Sequence, residues 1–133
     1  MIPSSRVSLA LQAHHLRQVF PTGTLRIKRS HLSWTGRLRP TAFSDDYGIS
    51  LTYSLNDKPR VTVPDRTRQW RGNRRPPHLY PDDSLCLYYP AAREWRRDMF
   101  LSNTVLPWTA EWLFHYEVWM ATGTWTGGGI HPR

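Results

Sequence analysis

One cysteine, Cys86, is all that the 133-residue chain contains. A single thiol excludes an intramolecular disulfide framework and a multi-cysteine zinc site, and it is compatible with a reducing compartment. Long apolar runs are missing too, since no segment approaches the roughly 20 residues that a spanning helix requires. The most apolar region, Val105 to Met120, is interrupted by Pro107, Glu111, His115 and Glu117, the pattern of a core helix with one wet side. The first twenty residues have neither the basic leader nor the apolar stretch of a secretory signal, so a soluble, cytoplasmic protein is expected. Acidic residues are scarce, ten against eighteen basic ones for a formal charge of +8. That balance favours anionic partners such as nucleic acid or an acidic protein surface. Neither a Gly-rich nucleotide loop nor an adenylating motif occurs, and no cofactor is expected.

Aromatic residues are plentiful, with seven Trp, six Tyr and four Phe. They supply enough area for one hydrophobic core, and the length suits a single domain over residues 1–133. Leu9, Ala13, Leu16 and Phe20 recur at helical spacing until Pro21-Thr22-Gly23, which predicts a helix over 5–20. Strand formers then fill Thr24 to Lys28, Leu32 to Leu38, Tyr47 to Leu55 and Arg60 to Val63, separated by Pro40 and by Asn56-Asp57-Lys58-Pro59. Ile49, Leu51, Tyr53 and Leu55 alternate with Ser50, Thr52 and Ser54, so one face of that strand belongs to the core. From Pro64 to Pro90 prolines accumulate and periodicity fades, predicting an irregular loop rather than a central strand or a continuous helix. Trp108, Trp112, His115 and Trp119 share one face of a last helix that Gly123 stops. Helix, antiparallel meander, loop and helix together predict an α+β fold.

The loop carries the chemical candidates. Cys86, within "PPHLYPDDSLCLYYP", reads either as a small buried hydrophobe or as a nucleophile. Arg74, Arg75 and His78 are close enough in sequence to favour a thiolate, and Asp82 and Asp83 would oppose it if they faced the sulfur. Should the turn-rich chain fold back, His78 would meet the thiol as a base or as an oxyanion donor. As an ordinary loop histidine it would bond backbone instead. Glu111 and His115 are four residues apart and His131 follows, but no second His or Cys completes a metal set. "RTRQWRGNRRPPH" and "REWRR" mix Arg with Trp as single-strand nucleic-acid binders do, or else form a solvated basic surface. Gly127-Gly128-Gly129 would suit the tail of a modifier protein, a reading that leaves the opening helix and the cysteine loop unexplained.

These residues resemble the ubiquitin-conjugating enzymes, the thioester carriers of ubiquitin-like modification. The active-site loop of that family reads His-Pro-Asn, a short segment usually containing Tyr and Gly, an aliphatic residue, the catalytic Cys, Leu or Val, and then a Trp. Here Pro76-Pro77-His78, Leu79 to Ser84, Leu85-Cys86-Leu87 and Trp95 stand in that order. "LSWTGRLRP" (Leu32 to Pro40), Tyr47-Gly48 with "ISLTYSL", and Lys58-Pro59-Arg60-Val61 are similar to the family's early strands. Pro76 replaces the motif's His, and His78 stands at the Asn position, where the family stabilises an oxyanion as an amine attacks the thioester. The Trp-rich C-terminal half resembles the bacterial branch that accompanies cyclic-nucleotide synthases in anti-phage (CBASS) operons. The resemblance implies a ubiquitin-conjugating-enzyme-like fold, with Cys86 as acyl carrier and His78 as its catalytic partner. Asp82, Asp83, Tyr80 and Trp95 are the candidate supporting residues. The implied partner is the cyclic-nucleotide synthase (CD-NTase), as the protein conjugated, with a separate activating enzyme where ATP is needed. A catalytically silent module of this fold, binding an acidic protein or single-stranded nucleic acid, is the alternative. A membrane partner is not expected, and nucleic acid is the less favoured ligand.

Overall fold

In the computed structural model, which describes residues 6–72, 74–87 and 94–127, Ser8 starts the first helix. Its Oγ accepts the Leu11 N–H at 3.1 Å, satisfying one of the amides that a helix start leaves without a partner. Helix α1 spans Leu9–Val19. Ala13 and Leu16 turn into the core as their spacing predicts, and Gln12 turns in with them. The Gln12 amide donates to the Met99 carbonyl at 2.8 Å and accepts the Leu101 N–H at 2.9 Å.

Four strands follow: β1 (Thr24–Lys28), β2 (His31–Leu38), β3 (Tyr47–Ser54) and β4 (Arg60–Thr62). They form an antiparallel sheet in the order β1-β2-β3-β4, the expected meander. Its register sets Leu32 opposite Tyr53, Trp34 opposite Leu51 and Leu38 opposite Tyr47. All six are buried, so alternation delivers one apolar face to the helices. A Cβ at Gly36 would overlap the Trp34 indole, and the glycine lets that ring lie flat across the sheet.

Helix α2 (Pro64–Gly72) corrects the expectation of irregular chain from Pro64 onward. Pro64 takes the first helical position, where its missing N–H costs nothing, Asp65 lies in the first turn and Arg71 in the last. Only Trp70 of α2 is buried, so no apolar stripe announces the helix. After a 3₁₀ turn at Leu101–Asn103, helix α3 covers Val105–Thr122 and ends at Gly123, whose φ of 81° provides the left-handed cap. Trp112, Leu113, Tyr116 and Trp119 face inward, while Phe114 and Met120 remain exposed. Trp112 stacks on Tyr116 at 5.6 Å and Trp70 meets both rings, so the Trp spacing of α3 builds core. His115 ties α3 to the following segment through Thr126 at 2.8 Å. Gly128, Gly129 and His131 lie outside the described residues, as do residues 88–93. Among the described residues no helix is long and apolar enough to cross a membrane. Helix, four-stranded meander, cysteine loop and C-terminal helix make the α+β order that the resemblance implies.

Candidate active site

Beyond α2 the chain folds back as a short hairpin. Leu79 and Leu85 form an antiparallel bridge, and Tyr80 N–H donates to the Ser84 carbonyl at 2.8 Å. At the tip, Asp83 N–H donates to the Tyr80 carbonyl at 2.9 Å, with Asp83 itself at a left-handed φ of 71°, as a three-residue hairpin loop requires. Asp82 accepts from the Ser84 N–H at 3.0 Å and from the Ser84 hydroxyl at 2.6 Å, a side-chain turn of the kind that short acids make. Leu85 N–H then reaches the Val61 carbonyl at 2.8 Å, which docks the hairpin on β4.

This fold places Cys86 directly opposite His78, with the Cys86 N–H donating to the His78 carbonyl at 2.8 Å. The Trp112 indole donates to the same carbonyl at 3.1 Å, which ties α3 to the site. His78 has a φ of 60°, in the region where His, Asn and Asp are over-represented among side-chain-bearing residues, and its ring lies 5.1 Å from that of Trp125. Both residues are nearly enclosed, His78 at 3% exposure and Cys86 at 4%. Burial of the Tyr80 phenol, together with the neighbouring Cys86 thiol, pushes its pKa up to about 12. It therefore stays protonated through the neutral range. Lys58 Nζ stands 3.5 Å from the phenol oxygen and 4.4 Å from the ring centre. A groove of about 260 Å³ opens here, lined by Lys58, Arg60, Tyr80 and Asp82 among others.

The two acids turn away from each other. Asp83 is buried, with its carboxylate held by Arg71 Nε at 2.6 Å and by Arg75. The Arg75 hydrogen bond, with help from Arg71, keeps Asp83 below the usual carboxylate range despite burial. Asp82 faces the groove, lowered by the Ser84 hydroxyl and N–H and by Arg60 at 3.2 Å. Arg75 also donates to the Tyr80 carbonyl at 2.8 Å, and Arg74 lies over the Trp119 ring at 4.2 Å. Trp95 packs edge-on against Tyr53 at 5.6 Å. The structure thus gathers His78, Tyr80 and Cys86, sets Asp82 beside them, uses Asp83 as an anchor and gives Trp95 to the core. In sequence Lys58 is a turn residue and nothing more. Only the packing of that turn against the hairpin brings it over Tyr80. Trp70 is 1% exposed, so its Arg-rich segment offers no face there for base stacking. Among the described residues no three His, Cys, Asp or Glu side chains converge as metal ligands would.

Residues 12–132 match the model of one protein family, described as the type II CBASS E2 protein. The chain belongs to the type II CBASS E2 family. Membership places it in CBASS defence, and the match runs from within α1 to beyond α3, across the hairpin that carries His78 and Cys86. No curated protein is similar enough to the chain to count as a match. In this chain the site cysteine is paired through its backbone with a histidine.

Proposed function

We propose that the chain acts as one domain that conjugates proteins, with Cys86 as the acyl carrier. The Cys86 thiolate attacks the activated C-terminus of a partner protein, the cyclic-nucleotide synthase of the same system, and expels the activating group to leave a thioester. An amine of a lysine then adds to the thioester carbonyl. The tetrahedral oxyanion collapses with loss of the thiolate, yielding an amide. Sulfur suits both steps because it is a good nucleophile and a good leaving group, so the protein must chiefly orient the reactants and stabilise the oxyanion. His78 supplies the oxyanion donor, and its left-handed backbone supports its place at the family's Asn position, because Asn also adopts that conformation readily. The chain has no nucleotide loop, and activation falls to another protein. Asp82, at the groove, orients the incoming ammonium. The observation that carries this reading is the hairpin itself, which opposes His78 to Cys86. Near-complete enclosure also suits a thioester, which must be kept from water.

Coexpression with the synthase, followed by intact-mass measurement with and without a strong thiol, tests the carrier. A thiol-labile adduct on Cys86, absent from Cys86→Ala, is expected. His78→Ala should still load but transfer about a hundredfold more slowly, the usual effect of losing an oxyanion donor, with His78→Asn nearer to wild type. A clean mass, with Cys86 also refusing a small alkylating reagent in the native protein, would make the thiol a packing residue.

A further inference from the structure

Of the eighteen basic residues only two are lysines, Lys28 and Lys58. Arginine dominates everywhere else, and a guanidinium stays protonated and does not attack esters. Lys28 pairs with His31 in the β1–β2 ladder, at the far edge of the sheet. It is three strand spacings from β4, roughly 14 Å. Lys58 sits at the opposite edge, in the groove beside the hairpin, with its Nζ 3.5 Å from the phenol oxygen of Tyr80, two residues along the hairpin from the His78 that stands opposite Cys86. One of the chain's two lysine amines therefore lies against the hairpin that carries the thiol, on a flexible four-carbon stem.

We infer that Lys58 is an acceptor for the acyl group carried on Cys86, so that the chain conjugates itself at this position. The inference rests on the carrier reading above and adds the site of transfer. The Lys58 ammonium loses a proton to solvent, and the free amine adds to the thioester carbon. The C–S bond then breaks, returning the Cys86 thiol, and an amide joins the acyl group to Nζ. Tyr80 positions the amine, its ring lying beneath the ammonium. Self-conjugation at Lys58 leaves the acyl group in the groove lined by Arg60, Tyr80 and Asp82.

A short peptide ending in a glycine thioester loads a reactive cysteine by exchange, with no activating enzyme, and serves as the probe. The purified full chain is mixed with it at neutral pH and sampled over time by intact mass, with and without a strong thiol, followed by peptide mapping. The expected result is a thiol-labile adduct on Cys86 that converts to a thiol-resistant adduct of the same mass on Lys58. Lys58→Arg should show the labile adduct and at least a tenfold loss of the resistant one, Lys28→Arg should follow the wild type, and Cys86→Ala should form neither. A labile adduct on Cys86 that hydrolyses without appearing on Lys58 overturns the inference and leaves the carrier reading standing. So does a resistant adduct formed equally fast in Cys86→Ala, which would mean that the probe reacts with the amine directly. Absence of any labile adduct overturns both.

Discussion

At the scale of single residues, Tyr80 shows how the loop uses its side chains. Burial and the neighbouring Cys86 thiol hold its phenol at about 12 against an ordinary value of 10. Between those values the native state keeps a proton that the unfolded chain has lost, so stability from this group is present below pH ~10 and declines as pH rises toward 12. Cys86→Ala removes one cause of the shift and leaves burial in place. The Tyr80 midpoint should therefore move down toward 10, measurable by NMR titration of the assigned ring. A midpoint that stays put would mean that burial alone sets it. From the sequence, Cys86 and His78 were legible as candidates because a lone thiol and a histidine between prolines are conspicuous. Tyr80 was legible only through the family resemblance, and Lys58 as a turn residue alone.

The hairpin is the element that holds the thiol. Its tip is clamped by the buried Asp83 carboxylate between Arg71 of α2 and Arg75. Because Asp83 is held below the usual carboxylate range, the clamp is complete above the unfolded value of about 3.9 and is lost as pH falls through the depressed one. Asp83→Asn keeps a residue that tolerates positive φ and removes the charge. We expect it to cost about 2 kcal/mol, the scale of a hydrogen bond to an ionised group, and to speed alkylation of Cys86 by an uncharged reagent. Urea titration and timed intact-mass sampling check the two effects. Lower stability with unchanged alkylation would separate the clamp from thiol access. Strand alternation and the period of α1 and α3 were readable because each buries several side chains at a regular interval. Helix α2 buries one, and its nine residues gave no period to read.

Over the whole molecule, Gln12 joins parts of the chain that pairwise patterns cannot connect. From α1 it satisfies the Met99 carbonyl and the Leu101 N–H, nearly ninety residues away. Gln12→Leu preserves apolar volume and leaves both backbone groups without the amide, which should cost about 3 kcal/mol in a urea titration, at 1–3 kcal/mol per unsatisfied group. A loss below about 1 kcal/mol would mean that water replaces the amide. Trp112 makes a similar long connection, from the aromatic core to the His78 carbonyl, so the site is braced by the same helix that fills the core.

The sequence by itself determined the helix–meander–helix order, the apolar faces and the one thiol, because periodicity and composition are local properties that survive without a partner. Packing decided the rest. Whether His78 meets Cys86, which acid anchors and which faces the groove, and that Lys58 stands over Tyr80 all depend on a hairpin seated on β4 and clamped from α2. These are contacts between segments distant in the chain, and residue spacing carries no record of them.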